Sequence, residues 1–237
     1  MIPLSSADVT DAPADAAAED EGPRDELRES LIARFTAELG DAVVGSHIRP
    51  NDDLWLRVTR EAWVTAGRVA RDKLGCTFFD FLSGLDWLPS PFGRELESQE
   101  DIVVHGKEPK EPAPMVSGYA GGDTRFQVFA RVYNTTEHWG VTLKVDLPDD
   151  DLSVDTLVPL WLGANWHERE CAEMFGFAFN GHPYLENLYL PTAFEGHPLR
   201  KDFPLLSRRV KPWPGIVDVE PMPGGDAEGG EGEGEGE

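Results

Sequence analysis

Apolar positions recur at helical spacing from residue 24 onward. Leu27, Leu31, Ile32, Phe35 and Leu39 share one face, and Gly40 follows as a stop. Two strand-like runs come next, residues 42–48 and 54–58, joined by a turn at Pro50-Asn51-Asp52-Asp53. A second helical pattern covers 62–74 and ends at Gly75. Residues 77–82 then read as a strand or short apolar segment leading to Asp86 and Trp87. Alternation over 126–133 and 139–147 predicts an antiparallel pair connected through residues 134–138.

The pattern fails in two places. Residues 89–123 hold five Pro, five Gly and seven acids with little periodicity, which reads as a surface insertion. Beyond residue 148 only 165–175 looks helical, within a stretch dense in Trp, Phe, Gly, His and Pro, and six prolines from Pro183 to Pro214 forbid long helices afterwards. The expected fold class is α+β. A compact α/β domain (24–148) with a mixed or antiparallel sheet and two helices carries the insertion, and an extended, irregular C-terminal arm (149–217) includes the third helix. Segments 1–23 and 218–237 are expected to be disordered tails.

Charge sharpens that division. The chain of 237 residues carries a formal charge of −23, of which residues 1–22 supply six carboxylates and residues 218–237 eight, with no basic residue in either stretch. The acidity is therefore mainly a property of the ends. Sequence-independent nucleic-acid binding, which needs clustered cations, is excluded as an expectation. No apolar stretch approaches the ~20 residues that span a bilayer, and residues 1–8 do not read as a signal peptide, so membrane association is expected only through a partner.

Candidate chemistry is sparse. Cys76 and Cys171 are too few to hold an iron–sulfur cluster by Cys alone, and two buried thiols in a reducing cytoplasm is the ordinary reading. His167 and Cys171, four apart on one helix face, could supply two metal ligands, with His182 and His197 completing a set. Glu168, Glu170 and Glu173 could do acid–base work or simply make salt bridges. No phosphate cradle, Rossmann spacing or nucleophile elbow is present. Arg200, Lys201, Arg208, Arg209 and Lys211, against the single acid Asp202, form a local basic run that could lie on a partner's acidic surface.

Residues 164–185, with Trp166, Glu168-Arg169-Glu170, Phe175-Gly176 and Gly181-His182-Pro183, are followed by 194–205, with Gly196-His197-Pro198 and Arg200-Lys201-Asp202. These segments resemble the signature of the C-subunit family of NADH-quinone oxidoreductase, respiratory complex I. The resemblance covers about residues 25–206. Glu173 stands where the family usually has Asp, Phe177 where Ile is usual, and Asn187 replaces a common Arg.

The resemblance implies a non-catalytic structural subunit of the peripheral arm, membrane-associated on the cytoplasmic side through its partners. It would brace the quinone-side module of a proton-translocating complex against complex I subunits D and B. It also implies no cofactor in this chain, with FMN and iron–sulfur clusters in other subunits. The signature residues named above would serve as interface. The equivalent subunit of a membrane-bound hydrogenase or another quinone-reducing dehydrogenase is an alternative, as is a metal-dependent enzyme using the His and Cys set.

Overall fold

The computed structural model describes residues 25–50, 52–89 and 114–203. The two tails, the basic residues Arg208, Arg209 and Lys211, and most of the expected insertion lie outside the described residues. Helix α1 (Glu26–Leu39) begins at Asp25, whose carboxylate accepts the backbone N–H of Arg28 at 3.1 Å, and stops at Gly40. Leu31 and Phe35 are its buried contribution, while Leu27 stays on the surface.

Five strands form a mixed sheet in the order β1-β2-β5-β4-β3. β1 (Val43–Ile48) and β2 (Leu54–Val58) are an antiparallel pair, and β2 then runs parallel to β5 (Trp139–Leu147). β4 (Phe126–Asn134) pairs antiparallel with β5, and with β3 (Phe78–Asp86), which is longer than its expected range. Between β2 and β3, helix α2 (Trp63–Arg68) widens into a π-helical turn over Val69–Lys73.

Alternation decides the two faces. Leu54, Leu56, Val58, Val128, Ala130, Val132, Val141, Leu143 and Val145 point into one core with Leu31 and Phe35 of α1, Trp63 and Ala66 of α2 and Ala70 of the π-helical turn. The opposite face carries aromatic and charged side chains. Part of the segment expected to be a surface insertion, residues 114–123, returns across that face: Tyr119 stacks on His47 with ring centres 4.5 Å apart.

After β5 the chain makes β6 (Ser153–Asp155), helix α3 (Ala164–Phe175) and β7 (Ala178–Asn180). β6 and β7 pair in parallel, two short strands that the sequence pattern does not announce. α3 is built onto the sheet beside β3. Gly84 permits this, because a Cβ there would lie 2.7 Å from both Phe175 and Phe177. Residues 181–203 continue as turns and bends, the irregular arm expected from the prolines.

Candidate functional site

The signature residues converge on α3, and their first task is to satisfy its backbone. The last carbonyls of a helix have no intrahelical donor. Here Ala172 O accepts the N–H of Gly176 at 2.9 Å, and His197 Nδ1 lies 2.8 Å from Glu173 O. Met174 O accepts the Leu199 N–H at 3.1 Å, and Phe175 O accepts Arg200 Nε–H at 2.6 Å. The run from His197 to Arg200 is thus a cap folded over the C-terminal end of α3. A guanidinium at that end also complements the helix dipole. Gly176 makes room for it: its φ is 76°, and a Cβ would sit 2.5 Å from His197 and 2.6 Å from Arg200.

The other Gly-His-Pro serves the opposite end. His182 Nε2 lies 3.2 Å from Asn165 O while its Nδ1 accepts the N–H of Tyr184 at 3.0 Å, so the ring is a neutral tautomer donating from Nε2. Burial, with Arg169 nearby, holds His182 below its ordinary value against the pull of the Asn165 carbonyl. Gly181, at φ 80°, makes the turn after β7, Gly196, at φ 97°, precedes His197, Pro183 lies at a bend, and Pro198 is the second residue of a turn closed by the Arg200 N–H on His197 O at 3.2 Å.

Glu168 is fully buried. One oxygen accepts the Leu157 N–H at 2.7 Å and the other accepts the Thr156 hydroxyl, tying α3 to the chain after β6. Burial pushes its carboxyl up to about 7 against those two hydrogen bonds. Glu173 has the opposite balance. Burial raises it, but the N–H groups of Leu190, Tyr189 and Leu188 outweigh burial and leave it below the usual carboxylate range.

Arg169 fixes the same loop from the side. It donates to Glu186 O at 2.7 Å and Asn187 O at 3.2 Å, and its guanidinium carbon lies 5.1 Å from the centre of the Tyr184 ring. Glu170 is half-buried. The frame leaves Leu162 (84% exposed), Trp166 (70%), Tyr184 (60%) and Tyr189 (65%) turned outward.

Arg200, Lys201 and Asp202, which the resemblance places at an interface, also make contacts within the chain. Arg200 lies over Phe126, its guanidinium carbon 5.2 Å from the ring centre. The Lys201 N–H donates to Asp86 at 2.7 Å, and Asp202 pairs with Arg125 at 3.0 Å. Asp86, whose side chain is inaccessible, also accepts two bonds from Arg125. Burial raises Asp86, but Arg125 and the N–H groups of Lys201 and Leu88 bring it below its ordinary value. Asp86, Arg125 and Thr156 have no motif of their own; the Asp86-Trp87 pair at the end of a strand is the one sequence signal for them.

The structure does not bring His167, Cys171, His182 and His197 together as ligands. Among the described residues no group of three His, Cys, Asp or Glu side chains is arranged to hold a metal ion. His167 is engaged with Leu82 O at 3.2 Å, and His197 with Glu173 O. Cys76 and Cys171 are buried; burial pushes the first up to about 12 and the second higher still, so both remain thiols at neutral pH.

Comparison with known proteins is consistent over most of the chain. The family model described as "Respiratory-chain NADH dehydrogenase, 30 Kd subunit" matches residues 56–209. The NADH-quinone oxidoreductase C subunit of Roseiflexus sp. (strain RS-1) is 35% identical over 183 residues, covering 76% of this chain and 86% of that protein. The NADH-quinone oxidoreductase C/D subunit of Pseudomonas fluorescens (strain SBW25) is 32% identical over 182 residues, 77% of this chain and 29% of that longer protein. A chain of the membrane-bound sulfane sulfur reductase, an archaeal respiratory membrane complex, shares the fold at a TM-score of 0.50 and 15% identity, over 81% of this chain and 98% of that one.

Proposed function

The chain belongs to the family of the respiratory-chain NADH dehydrogenase 30 Kd subunit, and from that membership we propose a non-catalytic bracing role for it within NADH-quinone oxidoreductase. Its partners in this reading are the D and B subunits of the peripheral arm, and FMN and iron–sulfur clusters reside in other subunits. The complex translocates protons, and the chain sits peripherally on the cytoplasmic side of the membrane, held by its neighbours. Among the described residues no helix is long and apolar enough to cross a membrane.

One observation carries this reading. Glu173 and Arg169 hold the loop over 184–190 by its backbone while Trp166, Tyr184 and Tyr189 stay exposed. Tyrosine and tryptophan held rigidly at the surface are the residue types that anchor protein interfaces. Relatives whose name joins C and D favour the D subunit as the surface they meet. Electron transfer would then depend on the chain through the geometry of its neighbours, since Glu168, Glu173, His182 and His197 of the signature are engaged by internal hydrogen bonds.

The test is a Trp166→Ala, Tyr189→Ala double variant, read by co-purification with the D subunit and by NADH-driven quinone reduction in membranes. Both side chains are exposed, so the isolated variant should unfold at the wild-type temperature while assembly falls by two or more orders of magnitude. An interface anchor is lost for about 2 kcal/mol or more. Full assembly with normal turnover would sink the bracing role for this surface, and full assembly without turnover would mean that the chain touches the electron or quinone path directly.

A further inference from the structure

Residues 114–123 cross the outer face of the sheet as a strap, and three successive carbonyls of the strap are taken by side chains from three strands. Tyr119 O accepts from Lys144 Nζ at 3.0 Å, Ala120 O from Arg57 Nε at 3.1 Å, and Gly121 O from Gln127 Nε2 at 3.3 Å. Trp87 completes the floor: its indole N–H donates to Gln127, and Lys144 Nζ lies 5.0 Å from its ring centre.

Lys144 is wholly inaccessible. The hydrogen-bond acceptor it has is a neutral carbonyl, whereas Asp123 and Asp146 bond Arg57. An ammonium carries three donors and is costly to bury short of partners. Lifting the strap returns it to water.

We infer that the strap opens and closes on the proton of Lys144, the protonated side chain favouring the open strap and the neutral one the closed strap. The charged groups acting on it are Asp146 on its own strand and Arg57 on β2, the latter also bonded to Asp123, while Tyr119 of the strap supplies the accepting carbonyl and stacks on His47 of β1. Burial lowers Lys144 from 10.5 to about 8, with Asp146 opposing and Arg57 adding to the fall. A group that holds its proton less tightly when covered is covered more readily as the proton leaves. Raising the pH therefore closes the strap, and the opening constant should fall about tenfold between pH 7 and pH 9.

Hydrogen exchange on the full chain tests this, with each amide's rate divided by its intrinsic rate at that pH and β4 amides as the reference for global opening. Protection of the Gly121 amide, which donates to Gly118 O at 3.1 Å within the strap, should rise about tenfold from pH 7 to pH 9 relative to β4. Lys144→Met should abolish the rise. Gln127→Ala should lower protection at both pH values and keep the rise, which preserves the test if the methionine variant misfolds. A flat wild-type profile, or a rise that survives Lys144→Met, overturns the inference. A rise lost in His47→Phe also overturns it by assigning the proton to the imidazole.

Discussion

Arg200 shows how one side chain joins two segments of the chain. Its Nε–H closes the carbonyl of Phe175, and its guanidinium lies on the ring of Phe126. A hydrogen bond from a charged donor contributes about 1.5–3 kcal/mol. Arg200→Ala should therefore lower the urea midpoint of the isolated chain by a corresponding amount, even with no partner present. An unchanged midpoint would put this side chain in solvent. Glu168 gives a pH-dependent counterpart. Its folded value, about 7, lies above the ordinary 4.5, so its contribution to stability is full below pH 4.5 and is lost as pH rises through 7. Replacing it by Gln should flatten the difference in unfolding free energy between pH 5 and pH 8. The tails carry the same acidity in both proteins, so the comparison isolates this one carboxyl; identical pH slopes would count against it. The sequence named Glu168 and Arg200 through their motifs but not their partners. Thr156 and Leu157, 12 and 11 residues before Glu168, and Phe126, far upstream of Arg200, are ordinary residues, and only the packed backbone brings their polar groups or ring into reach.

At the scale of elements, legibility follows the length of the repeating pattern. α1, β1, β2, β4 and β5 were readable because each supplies several alternating or helically spaced positions. β6 and β7 have three residues each, too few to show a period, and they exist because they pair with one another. The strap was equally opaque. Its hydrogen bonds run from sheet side chains to its own carbonyls, a role that depends on backbone shape and leaves no residue pattern. The second signature segment is an element in disguise: four residues acting as the C-terminal cap of α3. Gly176→Ala tests this unit. It places a Cβ against both His197 and Arg200 in a conformation that costs a non-glycine residue about 1–3 kcal/mol. The loss should exceed that of Arg200→Ala, because the backbone strain adds to two displaced caps. A smaller loss, measured by urea unfolding, would show that the cap and helix do not act together.

For the whole molecule, the division of labour lies between a body that folds around its sheet and a loop held ready at its surface. The core runs through the sheet, α1, α2 and the inner side of α3, and none of it depends on residues 184–190. That loop is fastened by Glu173, which accepts three successive backbone N–H groups from Leu188, Tyr189 and Leu190. Fixing a loop in its bound form before association removes part of the ordering cost of binding. Glu173→Ala should therefore separate folding from assembly. The freed amides can turn to water, so thermal unfolding of the isolated chain should change by only a few degrees. Loop amides should lose most of their hydrogen-exchange protection, and co-purification with the D subunit should fall more steeply than the unfolding temperature implies. A Glu173→Asp variant, which keeps the carboxylate, should recover assembly if the shorter side chain still reaches the three amides. Full assembly with Glu173→Ala, despite a demonstrably unprotected loop, would mean that a preformed loop is not what the partner recognises, and would move the interface elsewhere on this chain.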